Sequence, residues 1–165
     1  MIADSTPRRG TGDEPPGVRV RAMGPEDVAA VALLSGQLGY PSTEEQVRRR
    51  FEWLKRQGDR ATFVADDGDG RVIGWVHVAI QCTIETGPNG EVWGLVVDET
   101  ARNRRVGRLL MSAAEQWACD RGLAEMAVRS NVIRGDAHRF YLSIGYEIAK
   151  SQYKFRKRLG PSPPA

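Results

Sequence analysis

Apolar and basic residues alternate over Val18–Ala22, then the period lengthens, which predicts a short strand followed by a helix. Gly24 and Pro25 stand at the helix start, where proline's missing N–H has no helical partner to lose. Val28, Val31, Ala32, Ser35 and Leu38 then recur on one face until Gly39 stops the run. Ser42 and Glu45 have the Ser-x-x-Glu spacing of a capping box, so a second helix is expected there, with Val47, Phe51 and Leu54 inward and Arg48, Arg49, Arg50 and Lys55 largely outward. Ala61–Asp66 and Arg71–Ile84 are strand-like, and the DDGDG stretch between them suits a hairpin turn. A second turn is expected at TGPNG, before Glu91–Val97, an almost wholly apolar run that reads as a central strand buried on both faces.

The clearest helix follows. Val106, Leu109, Leu110, Ala113, Ala114, Trp117 and Ala118 make a wide apolar stripe, and Gly122 ends it. Glu125–Ser130 predicts a short strand, Asp136–Ile144 a helix, and Tyr146–Arg158 a long final strand or strand pair. The order β-α-α-β-β-β-α-β-α-β is that of an α/β domain of the α+β type, with a mixed sheet and helices on both faces. The expected folded domain is 18–159, between a disordered leader over 1–17, rich in Pro, Gly and charge, and an irregular tail over 160–165.

Composition narrows the function classes. A chain of 165 residues, 41% hydrophobic and 27% charged, is one domain able to bury a core without staples. The leader has no apolar run for a secretory signal and no segment has the length of a membrane span, so a cytoplasmic protein without a membrane partner is expected. Cys82 and Cys119 are too far apart for a C-x-x-C site, which predicts no metal and two reduced core thiols. The net charge of +3 is small, yet much of it gathers in Arg102–Arg108 and in Lys150, Lys154, Arg156, Lys157 and Arg158. A local basic cluster in a nearly balanced chain fits a small anionic ligand better than nucleic acid. No G-x-G-x-x-G follows the first strand, which sets a dinucleotide fold aside.

The cluster's placement is informative. A buried strand ends at Val97, a short basic loop follows, and an amphipathic helix starts near Val106. A helix N-terminus presents unpaired N–H groups and partial positive charge, so a pyrophosphate can dock there, with Gly107 allowing close approach and the arginines raising the potential. Here the chain resembles the GNAT superfamily of acetyl-CoA-dependent N-acetyltransferases, whose donor motif is [RQ]-x-x-G-x-[GA]. The segment reads Arg102-Asn103-Arg104-Arg105-Val106-Gly107, matching at both ends, with Arg105 at the first glycine position. Further on, SNVIRGDAHRFYLSIGYE is similar to the second signature, N-x-x-A-x-x-[LF]-Y-x-x-x-G-[FY], through Ala137, Phe140, Tyr141, Gly145 and Tyr146, with Arg134 at the usual Asn.

The resemblance implies a GNAT fold, a mostly antiparallel sheet of about six or seven strands with about four helices, its fourth and fifth strands splayed apart. It also implies acetyl-CoA as co-substrate, an amine acceptor, and leaves a homodimer open. Donor contacts would come from Leu95, Val96 and Val97, from the loop residues Arg102, Asn103, Arg104 and Arg105, from Val106, Gly107, Arg108 and Leu109 at the helix start, and from Asn131, Arg134, His138 and Tyr141. Tyr141 would protonate the leaving thiolate, and Glu91 would take the amine's proton, with His77 as the alternative. Tyr40, Glu44, Glu45, Trp75, Glu85 and Trp93 are candidate acceptor-lining groups, suited to a cationic amine. A catalytically weak acyl-CoA-binding domain of the same fold is the alternative reading.

Overall fold

The computed structural model describes residues 17–102 and 104–160. These fall into two compact units, the first ending at Ala127 and the second beginning at Val128. Strands β1 (Arg19–Ala22), β2 (Arg60–Asp66), β3 (Val72–Thr83), β4 (Gly87–Val97) and β5 (Met126–Val128) form one sheet in sequence order. The first three pairings are antiparallel, while β4 and β5 run parallel. Helices α1 (Val28–Leu38), α2 (Glu44–Lys55), α3 (Val106–Cys119) and α4 (Gly135–Ser143) complete the set.

Two faces of the sheet are told apart by neighbouring residues of β3, because successive side chains on a strand point to opposite sides. A Cβ added at Gly74 would meet Leu110 of α3, whereas Trp75 packs with Val28, Val31 and Leu34 of α1 and Val47 of α2. The pair α1–α2 therefore covers one face and α3 the other. Val64, Val72 and Val96 join the α1–α2 cluster, and Val106, Leu110, Met111 and Ala114 of α3 are fully buried. Each such side chain contributes roughly 1.5–3 kcal/mol of transfer free energy for valine-to-methionine sizes.

Local chemistry sets the joints. Gly39 ends α1 in the left-handed region at φ 96°, while the Tyr40 N–H reaches back to the Ser35 carbonyl. In the β2–β3 turn, Gly68 and Gly70 also take positive φ, and Asp66 and Asp67 accept the backbone N–H groups of Gly68, Asp69 and Arg71. Before α1, the Asp27 carboxylate accepts the Gly24 N–H and a two-pronged contact from Arg21 at 2.7 and 2.8 Å. Burial opposes the charge on Asp27, but the Arg21 guanidinium and the Gly24 N–H outweigh it and hold the carboxyl below its ordinary range.

Several expectations are corrected. The capping box lies one residue later, between Thr43 and Gln46, because α2 begins at Glu44; the Ser42 hydroxyl instead donates to the Tyr40 carbonyl. The β3–β4 turn occupies Ile84–Thr86, so GPNG belongs to β4 and lengthens it at its start. Both cysteines are exposed, since Cys82 sits near the hairpin tip and Cys119 falls one position off the stripe of α3. In that stripe Met111 is fully buried, while Leu109 and Ala113 are only half-buried. Among the described residues the sheet has five strands rather than six or seven, and Tyr146–Leu159 has no regular secondary structure. Ile148, Tyr153, Phe155 and Leu159 are exposed there; an alternating pattern makes a strand only where a neighbouring edge supplies hydrogen bonds. Residues 1–16 of the predicted leader and 161–165 of the predicted tail lie outside the described residues. No helix among the described residues is long and apolar enough to cross a membrane.

Candidate active site

The loop after β4 is held before the basic residues begin. The Asp98 N–H donates to the Ile73 carbonyl at 2.8 Å, and its buried carboxylate accepts the Thr100 N–H at 2.9 Å and the Thr100 hydroxyl. Those Thr100 contacts, with smaller help from Gln37 and Arg71, hold the Asp98 carboxyl below its ordinary range. Gln37 of α1 works both ways, donating to Asp98 Oδ2 at 3.2 Å and accepting the Glu99 N–H at 3.2 Å. Asp98, Thr100 and Gln37 were not among the candidate residues. The Asp-x-Thr turn was readable as an Asx-type turn, but a contact spanning 61 positions from Gln37 leaves no local signal.

At the end of the loop, Arg105 has φ 59° and ψ 6°, the one non-glycine residue with positive φ among the described residues. That conformation explains why glycine is the favoured residue here: a Cβ in the left-handed region costs about 1–2 kcal/mol. Arg105 accepts the strain and serves as N-cap of α3 without a side-chain cap bond. The first intrahelical bond runs from the Leu109 N–H to the Arg105 carbonyl at 3.1 Å, so the N–H groups of Val106 and Gly107 precede the helical ladder. Arg102, Arg104, Arg105 and Arg108 are exposed around this terminus, Val106 is fully buried, and Gly107 and Leu109 are half-buried. A buried anchor at a helix start without a side-chain cap, in a segment carrying four exposed arginines, suits an anion site. Asn103, also expected to contact the donor, lies outside the described residues.

Strand β4 is irregular where it matters most. His77 pairs with Gly94 and Val78 with Val92, so Trp93 is an extra residue bulged out of the ladder. Past the bulge, Leu95, Val96 and Val97 pair with Val76, Trp75 and Gly74. Gly94 is required by close approach, since a Cβ there would lie 2.7 Å from two ring carbons of Trp75. At the other end of β4, the Gly90 N–H donates to the Glu125 carbonyl at 2.9 Å. Glu91, expected at a strand start, lies inside β4, is 4% exposed, and pairs with Ala79. Because paired residues share a face, Glu91 and His77 lie on the same side of the sheet, the side covered by α1 and α2.

Between that face and the two helices is a pocket of about 200 Å³. Trp75, His77, Trp93 and Gly94 form its floor, and Arg50 and Phe51 belong to its α2 wall. His77 Nδ1 is 2.8 Å from Thr62 Oγ1. Burial, helped by the nearby Arg60 charge, pushes the imidazole's pKa down from its ordinary 6.5, so it is neutral at neutral pH. The indole N–H of Trp75 is buried with no hydrogen-bond partner among the described residues. Of the expected acceptor-lining groups, Trp75 and Trp93 line this pocket; Tyr40, Glu44, Glu45 and Glu85 are exposed and do not.

The second unit organises its own cluster. Asn131 Oδ1 accepts the Ile133 N–H, and the Asn131 carbonyl accepts both the Arg134 N–H at 2.9 Å and His138 Nε2–H at 3.0 Å. Arg134 is the N-cap of α4. Gly145, at φ 96°, lets the chain turn back after α4, so that the Tyr146 N–H reaches the Tyr141 carbonyl at 3.1 Å and the two rings pack 6.1 Å apart. Burial raises the Tyr141 pKa above its ordinary 10.0, with Arg134 opposing, which makes the phenol a weaker acid than a free tyrosine.

With this geometry in hand, comparison with known proteins is specific. Residues 28–146 match the sequence model of the Acetyltransferase (GNAT) family. The chain is 30% identical over 148 residues to an aminoglycoside N(6')-acetyltransferase type 1 of Stenotrophomonas maltophilia, covering 87% of this chain and 95% of that protein. It is 34% identical over 92 residues to an aminoalkylphosphonate N-acetyltransferase of Salmonella typhimurium, covering 55% of this chain and 58% of that one. Its fold is similar to that of the aminoglycoside N-acetyltransferase AAC(6')-Iy in complex with CoA, with a TM-score of 0.77 at 23% identity, covering 86% of this chain and 95% of the other.

Proposed function

The chain belongs to the Acetyltransferase (GNAT) family, and from that premise we propose that it transfers the acetyl group of acetyl-CoA to a primary amine by direct attack in a ternary complex. The observation that carries the proposal is the arginine-rich start of α3, without a side-chain cap and with Arg105 left-handed. Acetyl-CoA as co-substrate accords with the CoA complex of the structural relative.

In this reading the pyrophosphate lies on the N–H groups from Val106 to Leu109, with Arg102, Arg104, Arg105 and Arg108 supplying charge and Asn103 completing the loop. The pantetheine arm runs along Leu95, Val96 and Val97 of β4, and the bulge at Trp93 aims a backbone N–H at the thioester oxygen. Asn131, Arg134 and His138 are assigned to the donor side.

The acceptor amine enters the pocket over Trp75, His77 and Gly94. Its ammonium gives up a proton to neutral His77, or through water to the buried Glu91 on the same face. The amine nitrogen attacks the carbonyl carbon, the C–N bond forms and the C–S bond breaks. Tyr141, a phenol protonated at neutral pH, gives its proton to the departing thiolate, leaving an amide and free CoA.

The test is release of free thiol from acetyl-CoA across a panel of amines. Amine-dependent release above background hydrolysis is expected. Saturable CoA binding without turnover on the whole panel would leave a binding domain in place of an enzyme.

A further inference from the structure

Building on the proposed amine acetylation, we propose that the acceptor is a monoamine with a compact, ring-bearing apolar body and one oxygen acceptor, carbonyl or carboxylate, and is not a polycation. The pocket between α1, α2 and the sheet has an apolar wall, Val31, Val47, Phe51 and Leu54 from the helices. Its volume of about 200 Å³ is a little above the roughly 150 Å³ that houses a single benzene ring, so one ring body fills most of the groove.

Charge decides the rest. No carboxylate lines the pocket among the described residues, whereas the Arg50 guanidinium does. A polycation brought here would meet a like charge and lose hydration without compensation. Among those residues the one titratable side chain in the lining besides Arg50 is the neutral His77, which can take a proton from a single amine. The orphaned Trp75 N–H is the second pointer, because a buried donor without an acceptor is costly and a ligand oxygen would satisfy it. Arg50, which also donates to Ser42 Oγ at 2.8 Å, is exposed and adds a charged donor to the same wall. The ring body thus sits among Phe51, Trp75 and Trp93, with the amine toward Gly94 and the oxygen toward Trp75 or Arg50.

The experiment uses three acceptors, 4-(aminomethyl)benzoate, benzylamine and kanamycin, with free thiol as readout, on the wild type and on Trp75→Phe and Arg50→Gln. The benzoate is expected to exceed benzylamine in kcat/KM by roughly tenfold, the worth of one hydrogen bond to a charged group, and kanamycin by more. One or both substitutions should bring the benzoate-to-benzylamine ratio of kcat/KM down to about one, whatever loss the two acceptors share. Arg50→Gln alters an exposed side chain and keeps the test valid if Trp75→Phe unfolds. Preference for kanamycin would overturn the pocket assignment and leave the transfer reaction standing. A parallel loss on benzoate and benzylamine in both variants would overturn the oxygen-binding role. No thiol release from any amine would overturn the transfer reaction and this inference with it.

Discussion

Replacing Arg105 by glycine and, separately, by alanine isolates what the left-handed joint before α3 costs the fold. Both substitutions remove the guanidinium and whatever it touches, so their difference reports only the backbone at φ 59° and ψ 6°. Alanine keeps the Cβ and with it the left-handed penalty of about 1–2 kcal/mol. Glycine escapes the penalty but gives the unfolded chain more freedom, worth about 0.4–1 kcal/mol. Glycine should therefore be the more stable variant by about 0.5–1 kcal/mol. For a chain of this size 1 kcal/mol moves Tm by about 2–4 °C, so the two melting curves should separate by about 1–4 °C. Thermal unfolding followed by circular dichroism at neutral pH and fixed salt reads the gap. Acetyl-CoA KM, measured in parallel, should rise by a similar factor in both variants if the guanidinium grips phosphate. An alanine variant as stable as the glycine one would refute the strained-loop reasoning.

Gly94→Ala puts a Cβ 2.7 Å from the Trp75 ring, and overpacking of this kind costs about 1–3 kcal/mol; acceptor KM should rise more than acetyl-CoA KM, as separate titrations of the two substrates will show. Tyr141→Phe should lower kcat at least tenfold while leaving the acetyl-CoA Kd from calorimetry unchanged, since a general acid contributes about 10²–10⁴-fold and touches the transition state; equal kcat removes the acid role. His77 gives a pH dependence whose sign is fixed by its lowered pKa. The unfolded chain binds the proton first as pH falls below 6.5, so stability drops from there toward the folded value and is untouched above 6.5. Urea unfolding between pH 7.5 and 5 should show a shallower slope in His77→Gln than in the wild type, and identical slopes would contradict a buried neutral imidazole.

The sequence by itself determined most of the periodic elements and, through its two motifs, the family. The stripe of α3 is written in local spacing, as are the stops at Gly39 and Gly122 and the basic loop between a buried strand and a helix, because helix period, turn chemistry and dipole direction are properties of neighbouring residues. Arg105 was visible as a departure from glycine, but only the backbone angle shows why glycine is usual there. Tertiary structure decided what depends on partners distant in sequence. The Trp93 bulge arises from register against His77 and Val78; Gln37 reaches Asp98 and Glu99 across α1; Glu91, read as a strand start, is enclosed within the sheet. The same dependence explains the misses. Cys82 and Cys119 have apolar character but sit where nothing covers them, and Tyr146–Leu159 alternates like a strand yet has no regular structure, because a strand exists only against another edge. The pocket over Trp75 and His77 belongs wholly to this second kind: its walls come from α1, α2 and three strands, and no stretch of sequence contains it.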